Sequence, residues 1–381
     1  MPFYYTVRKT AEGRRTASRL LELQSLLENG TGEPGKRGYV APVPARTLSE
    51  TLLLATWNIR EFDSSKYGSR MRESMFYIAE IISHFDLVAI QEVREDVSAL
   101  DELRSILGRR SWRYVVTDVT AGTGGNKERM AFLYDQRKVT HTGLASEIVL
   151  PPKKGKPVTQ FARTPYLVGF QAGWFKFCLC SVHIFYGGDE PNQPQRVAEI
   201  DALAKFLGDR TRRYREAYRK GGKSHSEYEN IALLGDFNIF SIEDDTFKAL
   251  EKNGFKVPEG LHGDITNVGK KGRAFDQIAF LEDEKNVEST GHAGSIDFFS
   301  TVFRRPEDQT LYAPTMSKTI KDSNAKKSAS DQSTLYEDRT PSQQNRYYGA
   351  WRTFQMSDHL PLWVELKIDF SAEYLERKAK A

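Results

Sequence analysis

The sequence predicts an α/β protein in which the strands of a sheet sandwich deliver polar side chains to one shared edge. Apolar runs of strand length recur, such as LLLATWNI at 52–59 and DLVAIQE at 86–92. Segments with apolar residues at helical spacing lie between these runs. Many of the runs end in a carboxylate, an amide or an imidazole, and such groups at several strand ends indicate a common site.

Composition is typical of a globular protein with a sizeable core, since 39% of the 381 residues are hydrophobic and 28% are charged. The net charge of +4 is too small to indicate nucleic acid by itself. Cys178 and Cys180 lie two apart on one predicted strand, a poor geometry for a disulfide, so we interpret them as core residues of a cytoplasmic protein. Neither a secretory leader nor an apolar run of membrane length is visible, and we expect no membrane partner.

Three regions are predicted along the chain. Residues 1–50 form an N-terminal extension with a helix between Arg14 and Glu28, and packing on the main domain is favoured over binding of a partner. The main domain spans 51–369 with insertions near 206–228 and 296–350, and 370–381 is a tail. The polar residues 317–346 predict a long mobile loop or insertion. A protein partner would dock through 1–50 or 296–350.

The elements follow from the apolar spacing, taken in order. Strand and helix patterns alternate through the first half, and the second half adds a helix starting near Pro194 and three further strands. The predicted strands are 51–58, 86–92, 114–117, 129–134, 166–170, 175–182, 231–236, 275–281 and 360–368, and the predicted helices are 75–85, 97–107 and the one from 194. The polar strand ends are Asn58, Glu92, His183, Asp236 with Asn238, and Asp358 with His359.

A series of short blocks in fixed order carries a family resemblance. The blocks are WNIR (57–60), IQEVR (90–94), KERMAFLY (127–134), SVH (181–183), GDFN (235–238), FDQI (275–278) and SDHLP (357–361). Together they resemble the endonuclease/exonuclease/phosphatase superfamily, and within it the deoxyribonuclease I subfamily most closely, over about residues 51–368. The resemblance implies a four-layer α/β sandwich of two mostly antiparallel sheets flanked by helices, with the active site at one end.

Hydrolysis of a phosphodiester requires positive charge, an activated water and a proton for the leaving oxygen. Hard oxygen ligands suit Mg²⁺ or Mn²⁺. The resemblance implies that Glu92 is the first metal ligand, that Asp358 is a second acidic contact, and that the Asn58 amide supports metal or phosphate. An amide that caps a turn stays an alternative for Asn58.

Two carboxylate–imidazole pairs are implied by the resemblance. His359 corresponds to the general base, oriented by Asp276, and His183 corresponds to a general acid with Glu128 as its partner. One acid and one base near neutral pH are what the reaction needs, and a carboxylate partner fixes the tautomer and raises the basicity of each imidazole.

The remaining implied contacts concern water and substrate. Asp236 would orient the attacking water or hold metal, and Asn238 would donate to a phosphoryl oxygen. Arg163 resembles an arginine near the phosphate site. Arg60 and Arg94 resemble arginines that the deoxyribonuclease I subfamily places in the DNA minor groove. For all three arginines, a plain surface position is the rival interpretation.

The sequence also departs from the subfamily. Asn126 stands where the subfamily has a tyrosine that contacts the nucleotide. The basic stretch Arg210–Lys223 is interpreted as a phosphate-backbone contact beside the site, with a solvated helix end as the rival interpretation.

These observations together predict a metal-dependent DNA endonuclease. RNA, a phospholipid or an inositol phosphate stays open as a substrate, although RAFDQI lacks the tryptophan–cysteine motif of inositol phosphatases. Two further hypotheses are an effector nuclease subunit of a larger assembly and a catalytically inactive binding module.

Overall fold

Twelve strands and eight helices build the chain in the computed structural model, which describes residues 2–33, 38–62, 64, 69–120, 127–152, 158–220, 230–269, 271–281 and 287–380. The strands are β1 (Thr51–Phe62), β2 (Leu87–Val93), β3 (Trp112–Val116), β4 (Arg129–Asp135), β5 (Val139–Glu147), β6 (Tyr166–Ala172), β7 (Phe175–His183), β8 (Ile231–Asp236), β9 (Phe255–Lys256), β10 (Asp276–Leu281), β11 (Ser289–Ser295) and β12 (Leu362–Lys367). The helices are α1 (Ala11–Asn29), α2 (Arg72–Ser83), α3 (Ser98–Leu107), α4 (Pro194–Arg219), α5 (Asp245–Glu251), α6 (Gln309–Asn324), α7 (Pro341–Gln355) and α8 (Ser371–Lys380).

The strands form two six-stranded sheets. The first sheet has the order β11-β12-β1-β2-β4-β3, and the second has the order β5-β6-β7-β8-β10-β9. Each sheet contains one parallel pair, β1 with β2 and β7 with β8, while all other pairings are antiparallel. The predicted pair of mostly antiparallel sheets is therefore confirmed.

Alternation along β1 shows how the layers stack. Leu52 and Leu54 belong to the core that lies between the sheets, whereas Leu53, Ala55 and Trp57 belong to the core between the first sheet and its helices. This is the period-two pattern of a strand that is buried on both faces. Helices α1, α2, α3, α6 and α7 cover the first sheet, and α4 and α5 cover the second. The four-layer α/β sandwich that the sequence led us to expect is the observed fold.

The N-terminal extension packs on the main body through α1. Thr10 caps this helix by accepting a hydrogen bond from the Gly13 amide at 3.1 Å. Arg15 pairs with the buried carboxylate of Glu73 at 2.8 Å. Four leucines of the helix are buried against the helices of the first sheet: Leu20, Leu23, Leu26 and Leu27. These contacts support the interpretation that α1 packs on the main domain.

The prediction of one long mobile loop over residues 317–346 is wrong in part. Residues 317–324 end α6 and residues 341–346 begin α7, and both helices pack on the first sheet. Residues 325–340 connect the two helices. Tyr312, Met316 and Ile320 recur every four residues on α6 and are buried, so one stripe holds the helix while the polar residues face outward. Helix α7 begins with a capping box between Thr340 and Gln343.

The prediction that Cys178 and Cys180 are core residues without a disulfide is confirmed, since both are free thiols buried in the core between the sheets. The tail contains the exposed helix α8, in which the Tyr374 ring lies 5.4 Å from that of Trp174. Within the described parts of the chain, every helix is too short or too polar to span a lipid bilayer.

Candidate active site

The strand directions bring the polar strand ends to one edge of the sandwich. The parallel pairs β1–β2 and β7–β8 end there, and β4, β10 and β12, which run antiparallel to their neighbours, begin there. The first sheet contributes Asn58, Glu92, Glu128 and His359, and the second contributes His183, Asp236 and Asp276. The register places His183, Asp236 and Asp276 side by side on neighbouring strands, because His183 pairs with Asp236 and Asp236 pairs with Asp276.

The first imidazole–carboxylate pair joins the two sheets. His359 Nδ1 and Asp276 Oδ2 are hydrogen bonded at 2.7 Å, and both residues are buried. Burial disfavours the charged imidazole, but the carboxylates of Asp276 and Asp236 outweigh it and raise the pKa of His359 well above its usual value. The Trp57 indole donates to the His359 carbonyl at 2.9 Å and holds the backbone of this residue in place.

The second pair is built from His183 and Glu128. His183 Nδ1 lies 2.9 Å from Glu128 Oε2, and Arg163 Nε donates to the same oxygen at 2.8 Å. Although burial favours a neutral carboxyl, the charges of His183 and Arg163 lower the pKa of Glu128 to about 2. Burial and Arg163 both oppose a charged His183, yet Glu128 and Asp236 raise its pKa overall.

Asp236 stands between the two imidazoles. Its Oδ2 atom lies 3.5 Å from His183 Nε2 and 3.6 Å from His359 Nε2, and it accepts a hydrogen bond from Asn58 Nδ2 at 3.0 Å. Its other oxygen accepts the backbone N–H of Asn238 at 2.9 Å, which fixes the rotation of the carboxylate. One carboxylate oxygen is thus shared by both predicted proton-transfer groups.

Asn238 combines a turn role with a place in the site. Its φ of 53° lies in the left-handed region, which asparagine tolerates better than most residues. Its side-chain Nδ2 donates to the Ile184 carbonyl at 2.8 Å, so the turn after β8 is tied to the end of β7.

A group of oxygen atoms beside this cluster offers ligands for a cation. Glu92 has a φ of 60°, an uncommon value for a glutamate, and its Oε2 accepts the Glu61 amide at 2.7 Å. Burial raises its pKa, and the carboxylates of Glu128 and Asp358 add to that effect. The Asn58 Oδ1 atom is buried without a hydrogen-bond partner. A half-buried acid that is crowded by other carboxylates, next to an unsatisfied amide oxygen, suits a hard divalent ion.

A second set of side chains has the spacing of a metal site. Atoms of Asp236, Asp276 and His359 lie within 4.8 Å of one another. In this set, however, His359 Nδ1 and Asp276 Oδ2 already satisfy each other.

Asp358 and the two predicted DNA-contacting arginines lie at the rim. Asp358 Oδ2 is 3.4 Å from Arg60 Nε, and the guanidinium of Arg60 lies 4.1 Å from the centroid of the Phe354 ring. Arg94 lies 3.3 Å from a carboxylate oxygen of Glu61. The two arginine side chains are 26% and 25% exposed, so they are held by internal ion pairs but still reach solvent.

Ser357 is an organising residue of the site whose role was not predicted from the sequence. Its buried hydroxyl donates to the Asn58 carbonyl at 2.6 Å and accepts the backbone N–H groups of Arg60 and His359, each at 3.0 Å. It therefore ties the end of β1 to the segment that carries His359. Its position directly before Asp358 and His359 was the available signal.

The described part of the basic stretch, residues 210–220, does not lie beside the site, so for these residues the interpretation as a contact beside the site is wrong. Helix α4 begins near His183 and runs back toward the start of β8, at the opposite edge. Arg210 is sixteen residues into the helix, roughly 24 Å from its first residue. Arg212 is paired with Asp209 at 2.9 Å. Asn126 and residues 221–223 of the stretch lie outside the described residues.

Comparisons with known proteins agree with this architecture. The profile of the Endonuclease/Exonuclease/phosphatase family matches residues 55–306. Deoxyribonuclease-1 of Mus musculus is 28% identical over 200 residues, 50% of this chain and 61% of that protein. Deoxyribonuclease-1 of Bos taurus is 34% identical over 198 residues, 50% of this chain and 62% of that protein. The chain thus spans less than two thirds of these relatives.

Solved structures resemble the fold more distantly. An endonuclease/exonuclease/phosphatase family protein from Bacteroides thetaiotaomicron aligns with a TM-score of 0.47 at 16% identity, over 84% of this chain and 96% of that one. The human Nocturnin catalytic domain aligns with a TM-score of 0.46 at 14% identity, over 83% and 93%. Because the family profile covers well over half of the sequence, the chain belongs to the Endonuclease/Exonuclease/phosphatase family.

Proposed function

We propose that this chain is a metal-dependent phosphodiesterase that cleaves DNA as an endonuclease. The observation that carries the proposal is the pair of carboxylate-backed imidazoles, whose Nε2 atoms both face the same oxygen of Asp236 at 3.5 and 3.6 Å. A phosphodiester held there would meet a base on one side and an acid on the other. DNA is favoured because the curated relatives are named as deoxyribonucleases.

His359 acts as the general base in this proposal. Its Nε2 atom takes a proton from the attacking water while the water oxygen bonds to phosphorus, and Asp276 at 2.7 Å stabilises the imidazolium that forms. Asp236 accepts a hydrogen bond from the same water and aims it. The fixed rotation of the Asp236 carboxylate makes this orientation precise without further reorganisation.

His183 acts as the general acid. Its Nε2–H gives a proton to the oxygen that leaves phosphorus, and its Nδ1 atom stays against Glu128. Arg163 fixes the Glu128 carboxylate through its Nε–H, and its remaining guanidinium N–H groups would donate to the phosphoryl oxygens. The second N–H of the Asn238 amide is directed to a phosphoryl oxygen, since the first is used by Ile184.

Asn58 and Glu92 would hold the cation, with Asp358 reaching it through water. We favour this set of ligands over Asp236, Asp276 and His359 because it consists of oxygen atoms only. It also leaves the hydrogen bond between His359 and Asp276 intact. A bound Mg²⁺ or Mn²⁺ supplies charge that stabilises the phosphoryl oxygens as negative charge builds up. Arg60 and Arg94 at the rim would contact the DNA beyond the cleaved bond.

Plasmid nicking with purified protein tests the proposal. We expect supercoiled DNA to be nicked with Mg²⁺ or Mn²⁺, not with EDTA, and nicking to fall by at least about a hundredfold in His359→Ala. His292→Ala is the matched control, because His292 also pairs with a carboxylate, Glu365 at 2.9 Å, but lies on β11 with a 63% exposed side chain. The control should retain full activity.

Two results would contradict the proposal. Equal nicking by His359→Ala and the parent protein would show that His359 is not the general base. Absence of nicking with any divalent metal, combined with cleavage of RNA or of a phospholipid, would retain the chemistry and reject DNA as the substrate.

A further inference from the structure

A group of flat side chains stands directly beside the catalytic pair. The rings of Tyr186, Phe240 and Phe275 lie 5.4 to 6.5 Å apart, and the guanidinium carbon of Arg273 lies 3.9 Å from the Phe240 centroid. We call these four residues the aromatic shelf. They come from the loop after β7, the turn after β8 and the segment before β10.

The shelf touches the proposed base at one end and solvent at the other. The Phe275 ring is 5.7 Å from the imidazole of His359, with an angle of 32° between the planes. Tyr186, three residues after His183, is 39% exposed, although most aromatic rings of the chain are buried. A ligand bound at the catalytic groups would therefore meet an aromatic surface as its next neighbour.

The loop that carries Tyr186 is held by the buried side chain of Arg196. Arg196 is completely buried, and its guanidinium donates to the carbonyls of Phe185 at 3.2 Å, Gly188 at 3.0 Å, Glu190 at 3.0 Å and Tyr186. Burial of an arginine carries a desolvation penalty, and its hydrogen bonds to the backbone carbonyls fix the loop in one shape. A surface fixed in advance loses little entropy when a ligand stacks on it.

The charges at the shelf favour a neutral ligand surface over a phosphate. Arg273 is paired with Asp189 at 3.0 Å, and the Tyr186 hydroxyl donates to the same carboxylate. Glu190 adds a further exposed acid beside Asp189. The positive charge of Arg273 is thus compensated. Phe275 is buried, and the guanidinium groups of Arg273 and Arg196 lie 3.9 and 4.9 Å from the Phe240 centroid, so the part of the shelf that is open to a ligand is the Tyr186 ring.

We propose that the aromatic shelf is a stacking subsite for an unpaired nucleobase next to the cleaved phosphate. This inference rests on the proposed phosphodiesterase function and names its substrate class: single-stranded or locally unpaired DNA. A base inside a duplex already has stacking neighbours on both faces and cannot lie on a protein ring without leaving the helix. A single strand presents its bases freely, and an aromatic ring on which a base stacks strengthens its binding.

Binding in EDTA tests the shelf without any turnover. A single-stranded oligonucleotide with one 2-aminopurine reports stacking through fluorescence quenching, and competition with the same sequence as a duplex gives the preference. We expect Tyr186→Ala to weaken single-strand binding about tenfold and duplex binding by much less. Tyr186→Phe keeps the ring and should bind like the parent protein.

Trp174→Ala is the matched control, because Trp174 is an exposed ring (55%) at the start of β7, the end opposite His183. It should leave both affinities unchanged. Equal losses for single strand and duplex in Tyr186→Ala, or no loss for either, would overturn the inference. A parent protein that binds single strands through Tyr186 but never cleaves DNA would refute the proposed function and leave the shelf standing. Metal-dependent nicking, together with single-strand binding that does not change in Tyr186→Ala, would support the proposed function and overturn the shelf.

Discussion

Asp276→Asn isolates the role of one charge at the proposed base. Asparagine keeps the size of the side chain but removes the negative charge that lies 2.7 Å from His359 Nδ1 inside a buried pair. The imidazolium that forms during attack then lacks its counter-charge, and the amide can hold the wrong tautomer. We expect turnover to fall by about 10²–10⁴-fold, which corresponds to about 2.7–5.5 kcal/mol of barrier. Single-turnover cleavage at saturating metal measures this directly.

The pH profile of the same variant distinguishes a catalytic cause from a structural one. Burial lowers the pKa of His359, but Asp276 and Asp236 raise it well above its usual value, and the base works only when neutral. Activity of the parent protein should therefore rise with pH up to that elevated pKa. In Asp276→Asn the rising limb should move to lower pH, because the main charge that holds the proton is gone.

Stability should follow the same linkage. A histidine pKa that is raised on folding stabilises the native state below the unfolded pKa of about 6.5, and this contribution is lost as pH rises through the folded pKa. The stability difference between Asp276→Asn and the parent protein should hence be larger at acidic than at alkaline pH. A rising limb at an unchanged pH, with turnover close to that of the parent, would refute the assignment of His359 as a base oriented by Asp276.

Two further predictions concern the cation and the core. Mn²⁺ should raise the melting temperature of the parent protein, and Glu92→Gln should abolish that rise because the amide lacks the ligand charge. Glu95→Gln, on the exposed loop nearby, should still show the rise. An undiminished rise in Glu92→Gln would place the ion elsewhere. Asp86→Asn should lower the free energy of unfolding, measured in urea, by about 3–5 kcal/mol. The reason is that Asp86 is buried and accepts hydrogen bonds from Arg46 at 2.7 Å and Lys138 at 2.6 Å. A change as small as that caused by Asp245→Asn, at an exposed position, would contradict this prediction.

The sequence sufficed where structure follows from local pattern. The central strands β1, β2, β7 and β8 are continuous apolar runs, so both their existence and the polar groups at their ends could be read directly. The edge strands β5 and β11 escaped notice because exposed, polar residues dominate them, which hides the alternation of a strand. Helices α6 and α7 were missed for a related reason, since a narrow buried stripe is outnumbered by polar residues.

Tertiary contacts explain the remaining differences. The direction of α4 depends on which sheet edge it leaves, so the distance of the basic stretch from the site had no local signature. The sequence does contain a signal for Arg196. A positive side chain in the first turn of a helix is disfavoured by the helix dipole, which indicates that it makes another interaction. Its carbonyl partners, however, come from a loop whose shape only the folded chain defines.

Three close contacts at the catalytic edge each have one member in each sheet. The pairs are His359 with Asp276, Glu128 with His183, and Asn58 with Asp236. Neither sheet alone therefore contains the oriented base or the oriented acid that we propose, and we expect a chain whose sheets have formed but have not yet docked to be inactive. In this proposal, activity depends on the alignment of the two sheets, so we expect a substitution deep between them to reduce cleavage while every residue of the site is intact.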